Sequence, residues 1–168
     1  MLEPSVALTT SPPLSRFIFR GRPAAIAAAG PVFGVALPDT CRAASAGLRS
    51  ALWLGPDEWL LLAPLDERAD IDNSFVTGLG EQAYSLVDVG ERQIAFILAG
   101  SHATLLLNAG CPLDFDTVPV GFCSRTMLGK AEIVLWRTGT DSFHIEVWRS
   151  FASYVSLLLT EAGRELGL

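Results

Sequence analysis

Ala51-Leu52-Trp53-Leu54-Gly55-Pro56-Asp57-Glu58-Trp59-Leu60-Leu61-Leu62-Ala63 is the stretch that decides the fold. Two apolar runs flank a Gly-Pro-Asp tip, where proline presets the backbone and aspartate bonds its own turn, so the segment predicts a β-hairpin. Both runs are apolar at nearly every position instead of alternating, the pattern of strands buried on both faces. Downstream, residues 66–78 predict a helix that places Ile71, Phe75 and Leu79 on one side. Upstream, residues 38–50 are small and polar and read as a loop or a loose helical turn. Before them lie a short strand, Phe17-Ile18-Phe19, and an alanine-rich helix opened by Pro23 and stopped at Gly30-Pro31.

The second half reads in the same terms. Residues 85–89 and 93–98, with Gly90-Glu91-Arg92 near the join, predict a second hairpin. Ser101 is the expected N-cap of a helix through Leu105, Leu106 and Leu107, closed by Gly110 and Pro112. Strands are expected over 124–128, 132–137 and 142–148, with Gly129-Lys130 as a bend and Thr138-Gly139-Thr140-Asp141 as a turn. Ser150 is the expected cap of a final amphipathic helix carrying Phe151, Tyr154, Val155, Leu158, Leu159 and Ala162.

The halves are alike. FIFRGRPAAIAAAGP from Phe17 matches FILAGSHATLLLNAGCP from Phe96, and Asp57-Glu58-Trp59 matches Asp141-Ser142-Phe143. The offsets run 79, 80 and 84 at Phe17/Phe96, Gly30/Gly110 and Asp57/Asp141, a drift that loop insertions produce. The expected fold is α+β, two pseudo-symmetric β-α-β-β-α-like units packed together. An extended arm over residues 1–15 precedes a single domain over 16–168 whose halves cover about 16–80 and 84–168.

Half of the 168 residues are apolar and 18% are charged. That composition supports a globular fold with apolar surface to spare for a core or a partner. A net charge of −6, carried against eleven arginines and the single Lys130, argues against a nucleic-acid surface. No apolar run is long enough to span a bilayer and no secretory leader is readable, so a cytoplasmic setting is expected. Cys41, Cys111 and Cys123 are odd in number and widely spaced. They read as small buried apolar side chains and not as disulfides or zinc ligands.

Reactive constellations are missing from the sequence. His102 and His144 have no ligand-spaced partner, which predicts surface or capping roles and no metal site. There is no Gly-rich phosphate loop and no nucleophile elbow. Asp57 and Glu58 sit at a hairpin tip and read as turn residues, while Asp88 interrupts a strand and needs a partner such as Arg92 or backbone N–H groups. The four tryptophans, Trp53, Trp59, Trp136 and Trp148, all fall on expected strands, as core or interface anchors do. An aromatic stack for a pterin-like ligand is the other reading of them.

LWLGPDEWLLL, SLVDVGERQ, GCPLD, the segment Thr126 to Lys130 and RSFASYV together resemble the sarcosine oxidase γ-subunit family, over almost the whole chain beyond the arm. The resemblance implies the fold of the folate-binding domain of the glycine-cleavage aminomethyltransferase. Those enzymes carry an acidic pair after a Gly-containing turn. Here Gly129-Lys130-Ala131-Glu132 offers only Glu132, so that activity does not carry over. The implied role is a non-catalytic γ subunit that docks on the α, β and δ subunits of a heterotetramer and self-associates when isolated. That complex oxidises sarcosine to glycine with FAD, FMN and NAD and passes the one-carbon unit to tetrahydrofolate. Candidate interface anchors are Trp53, Trp59, Trp136, Trp148 and Phe151; no catalytic or metal-binding residue is implied. The competing reading is a stand-alone folate or one-carbon binding module.

Overall fold

The computed structural model describes residues 5–168 and contains ten strands and four α-helices. All strand pairs are antiparallel, in two five-stranded sheets, which makes the fold α+β. The chain divides into two compact units, one over Pro12–Gly90 and one over Glu91–Leu168 joined by the residues up to Ser11.

The Pro12–Gly90 unit is built on the expected hairpin. Strands β4 (Arg49–Gly55) and β5 (Glu58–Pro64) flank the tip at Pro56-Asp57, and Trp53 faces Trp59 across the ladder. β2 (Leu14–Gly21) pairs with β5, β6 (Tyr84–Asp88) with β2, and β3 (Ala43–Ala46) with β4. The sheet order is therefore β3-β4-β5-β2-β6. Helices α1 (Pro23–Phe33) and α2 (Arg68–Leu79) cover one face. Ala25, Ala29 and Phe33 of α1 and Ile71, Phe75 and Leu79 of α2 close a core with Phe17, Phe19, Trp59 and Leu61. Leu52, Leu60 and Leu62 point to the opposite face and are buried too, as the uninterrupted apolar runs predict.

The second unit repeats this plan. β7 (Gln93–Ala99), α3 (Ala103–Asn108), β8 (Cys123–Leu128), β9 (Ala131–Gly139), β10 (Ser142–Trp148) and α4 (Ala152–Leu166) follow in sequence. With β1 (Ala7–Thr10), the strands are ordered β8-β9-β10-β7-β1. Leu106 and Leu107 of α3 and Val155 and Leu159 of α4 pack on Leu98, Ile133, Leu135, Phe143, Ile145 and Val147. The Tyr154 hydroxyl accepts the Lys130 N–H at 3.0 Å, tying α4 to the β8–β9 turn. Arg137 fixes the loop before β8 by donating to the carbonyls of Phe115 and Val118 at 2.9 and 2.5 Å, with its guanidinium over the Phe143 ring.

Several local expectations need correction. Residues 85–98 are not a hairpin: β6 and β7 form but pair in different sheets. The Val89 N–H continues onto the Arg16 carbonyl, and the Arg92 carbonyl accepts from the Arg149 N–H, so residues 89–92 carry the chain from one sheet to the other. Two strands with a short Gly-containing gap fit either topology until their partners are known. The exchange is reciprocal, because β1 precedes β2 in sequence yet pairs with β7. Each repeat thus opens with a strand that it gives to the other repeat's sheet. The arm expected over residues 1–15 accordingly includes this edge strand and the start of β2; its first four residues lie outside the described ones.

The segment 38–50 contains β3 and is not a helical turn; Gly47 in the left-handed region makes its hairpin with β4 possible. Helix α1 runs through Pro31 to Phe33, since burial of Phe33 holds the last turn and Gly34 supplies the left-handed stop, its N–H on the Gly30 carbonyl. Neither serine caps its helix. The Ser101 hydroxyl donates to the Ser5 carbonyl, and Ser150 lies in a 3-10 turn over Arg149–Phe151. Cys111 and Cys123 are buried as expected, whereas Cys41 is half-buried in a turn with φ of 57°.

Gly100 anchors the edge strand. Its φ is +132°, and a Cβ there would stand 2.7 Å from the Val6 Cα. Gly100→Ala is expected to cost about 2 kcal/mol through backbone strain and the displaced strand. Amide exchange at Ala7–Thr10 should accelerate by more than at the other strands; unchanged protection there would contradict this reading.

Candidate functional site

Among the described residues no group of three His, Cys, Asp or Glu side chains converges as a metal site would require. Burial pushes the Cys111 thiol above its ordinary pKa, outweighing its bonds to Leu113 and Thr126, so its thiolate is scarce at neutral pH. One guanidinium nitrogen of Arg20, Nη2, donates to both carboxylate oxygens of Asp57, at 2.9 and 3.1 Å. Asp88 finds Arg68, not Arg92, and also accepts the Gly90 N–H at 2.8 Å. Glu132 is exposed on β9. These are turn, strand-end and surface roles.

One polar pair departs from the expectation for the histidines. His144 and Glu146 occupy alternate positions of β10, so both side chains leave the same face of the sheet, opposite Phe143, Ile145 and Val147. The His144 Nε2 to Glu146 Oε1 distance is 2.8 Å, and the two residues are 5% and 0% exposed. His144 is therefore buried and paired, not a surface residue. The Trp136 ring lies 5.8 Å from the imidazole. Sequence spacing could have flagged the pair, since residues two apart on a strand share a face, but nothing in the sequence marks that face as buried.

The five aromatic candidates separate. Trp59 is only 5% exposed, and its indole N–H donates to the Pro38 carbonyl at 3.0 Å, so it is spent on the core. Trp53 and Trp136 are half-buried. Trp148 and Phe151, at the end of β10 and in the turn that follows, are 45% and 41% exposed. The Arg92 guanidinium carbon lies 5.3 Å from the Trp148 ring centroid. Beside it, Arg149 donates its backbone N–H to the Arg92 carbonyl at 2.8 Å and its Nε to the Glu91 carbonyl at 3.0 Å. These bonds set Arg149 beside Arg92, whose guanidinium lies over the exposed Trp148 ring; the exposed Phe151 follows three residues along the chain.

A concavity of about 790 Å³ belongs to the Pro12–Gly90 unit. Arg20, Arg22, Pro23, Asp57, Tyr84 and Ser85 are among its lining residues, and Asp57 already neutralises Arg20. It is shallow and contains no Gly-rich phosphate cradle. No helix of the described residues is long and apolar enough to cross a membrane.

The family model described as "Sarcosine oxidase, gamma subunit family" matches residues 20–165. Sarcosine oxidase subunit gamma of Corynebacterium sp. (strain P-1) is 33% identical over 69% of this chain, and that of an Arthrobacter species is 33% identical over 73%. The chain spans 57% and 60% of the lengths of these two curated relatives. Among solved structures, a chain of the heterotetrameric sarcosine oxidase from Corynebacterium sp. U-96 superposes with a TM-score of 0.89 at 28% identity, covering 97% of this chain and 86% of that one. The glycine cleavage system aminomethyltransferase T from Bartonella henselae shares the fold, with a TM-score of 0.68 at 13% identity over 92% of this chain and 45% of that one.

Proposed function

The chain belongs to the sarcosine oxidase γ-subunit family, and from that membership we propose that it is the γ subunit of a heterotetrameric sarcosine oxidase, contributing structure and not chemistry. The observation that carries the reading is the fold match over 97% of the chain to a chain of such a heterotetramer. The complex is a cytoplasmic assembly of this chain with α, β and δ subunits that oxidises sarcosine to glycine.

The chain's own residues do not fit a dinucleotide cofactor. A flavin or nicotinamide dinucleotide needs a Gly-rich turn leading into a helix N-terminus for its pyrophosphate, and α1 instead follows Gly21-Arg22 and opens on Pro23. FAD and NAD are therefore assigned to the large subunits; FMN and tetrahydrofolate, which have no pyrophosphate, are assigned there on the family resemblance alone. The likeness to the aminomethyltransferase is one of fold, and the exposed Glu132 gives no folate chemistry.

Co-expression of the tagged chain with the other three subunits tests the reading. The recovered material should carry flavin absorbance and turn over sarcosine, while the isolated chain does neither. Recovery of the chain without any flavoprotein would overturn the proposal. Heat-detected one-site binding of tetrahydrofolate by the isolated chain would favour the stand-alone binding module instead.

A further inference from the structure

The geometry points to the Arg92–Trp148 pair, with the exposed Phe151 three residues along the chain, as the anchor of the subunit contact, and to an aspartate or glutamate side chain of the partner subunit as the group that Arg92 receives. This inference rests on the γ-subunit reading and narrows it from five aromatic candidates to one surface and one partner chemistry.

Among the five aromatic candidates, exposure and the Arg92 contact single out the patch. Trp148 and Phe151 are 45% and 41% exposed within four residues of sequence, at the rigid junction of β10 with α4. Aromatic rings with two rotatable bonds and arginines with planar heads are the residue types that dominate binding free energy at protein interfaces. The Arg92 guanidinium carbon lies over the Trp148 ring, 5.3 Å from its centroid, a cation–π contact that leaves N–H groups available to a further acceptor. No carboxylate of the described residues pairs with that side chain; its recorded contact is the Trp148 ring. A fixed guanidinium fork with free edges matches a carboxylate bidentately.

Charge sets the rest of the argument. The chain carries −6 overall, yet this patch presents Arg92 and Arg149 against Glu91 alone. Arg149 and Glu91 stand 3.9 Å apart and are 59% and 90% exposed, so that pair is loose and open to exchange for a partner carboxylate. A locally cationic aromatic surface on an acidic protein favours a partner whose contact face is apolar at its centre and acidic at its rim.

The test uses the full chain titrated against the complex of the other three subunits. Trp148→Ala and Arg92→Glu should each weaken association at least tenfold, with circular dichroism and melting temperature unchanged. Arg92→Lys should fall between wild type and Arg92→Glu, because a point charge keeps the attraction but loses the fork. Leu157→Ala, removing another exposed apolar side chain, should bind within twofold of wild type. Added salt should weaken wild type more than Arg92→Glu. If wild type binds and both patch variants bind equally well, the patch is overturned while the γ-subunit reading stands. A loss with Trp148→Ala but none with Arg92→Glu would overturn the carboxylate assignment. Wild type failing to bind at all would overturn the parent reading and this inference with it.

Discussion

Phe75→Ala is expected to destabilise the protein by about 3–5 kcal/mol, the range for truncating a fully buried phenylalanine. Phe75 is 0% exposed, with ring centroids at 5.6 Å to Phe19 and 6.4 Å to Tyr84. Phe19 in turn stands 6.2 Å from Trp59 and 6.3 Å from Tyr84, so the ring sits inside an aromatic cluster that joins α2 to β2, β5 and β6. Helix α2 has little strength of its own. It has no side-chain N-cap, it contains Gly78, and only Ile71, Phe75 and Leu79 among its residues are buried. Removing the middle of those three leaves a cavity that rigid neighbouring rings cannot refill. In urea unfolding the midpoint should fall with the slope nearly unchanged. Phe75→Leu should lose roughly half as much, and Val76→Ala, one residue away but 62% exposed, should stay within about 0.5 kcal/mol. A loss below about 1 kcal/mol for Phe75→Ala would mean that the cluster collapses around the gap.

These contrasts follow from what the sequence makes legible. Periodicity locates Ile71, Phe75 and Leu79, and the doubly apolar runs around Pro56-Asp57 identify strands buried on both faces, because side-chain pattern and burial are directly linked. The repeat is legible for the same reason, since Phe17 and Phe96 each stand fourth in the equivalent strands β2 and β7. What the pattern does not encode is which strand pairs with which. The exchange of β1 and β6 between repeats is invisible, because a strand's residues specify an exposed or buried face but not the neighbour on its edge. β3 was hidden by its composition: Ala43-Ala44-Ser45-Ala46 has low β propensity and forms through pairing with β4.

The candidate surface was legible in residue type only. Trp59 and Trp148 are alike in sequence, each on a strand beside an acidic or basic residue, yet one is core and the other is exposed. The sequence offers Asp88 a partner such as Arg92, four residues away, or backbone N–H groups, and the Gly90 N–H does bond it. Arg68, placed by the first turn of α2, takes Asp88 in place of Arg92, and Arg92 is released to Trp148. Long-range placement, not local propensity, decides such pairings.

The buried acid on β10 yields the second large effect. Glu146→Ala is expected to cost about 3–5 kcal/mol, the range for removing one partner of a buried polar or ionic pair. The residue is fully buried, and its Oε1 lies 2.8 Å from the His144 Nε2. Alanine would leave the imidazole without that partner, in a place where water does not readily replace it, and would add a cavity. Glu146→Gln, which keeps the shape and one acceptor oxygen, should cost less than the alanine. Glu132→Ala provides the internal control. Glu132 is on neighbouring β9 and exposed, so its loss should change stability by no more than about 0.5 kcal/mol. The comparison is read from urea unfolding of the four proteins at one pH. If Glu146→Ala and Glu132→Ala were equally mild, the His144–Glu146 contact would contribute nothing net, and the pair would be a tolerated accident of packing instead of a fixed part of the sheet.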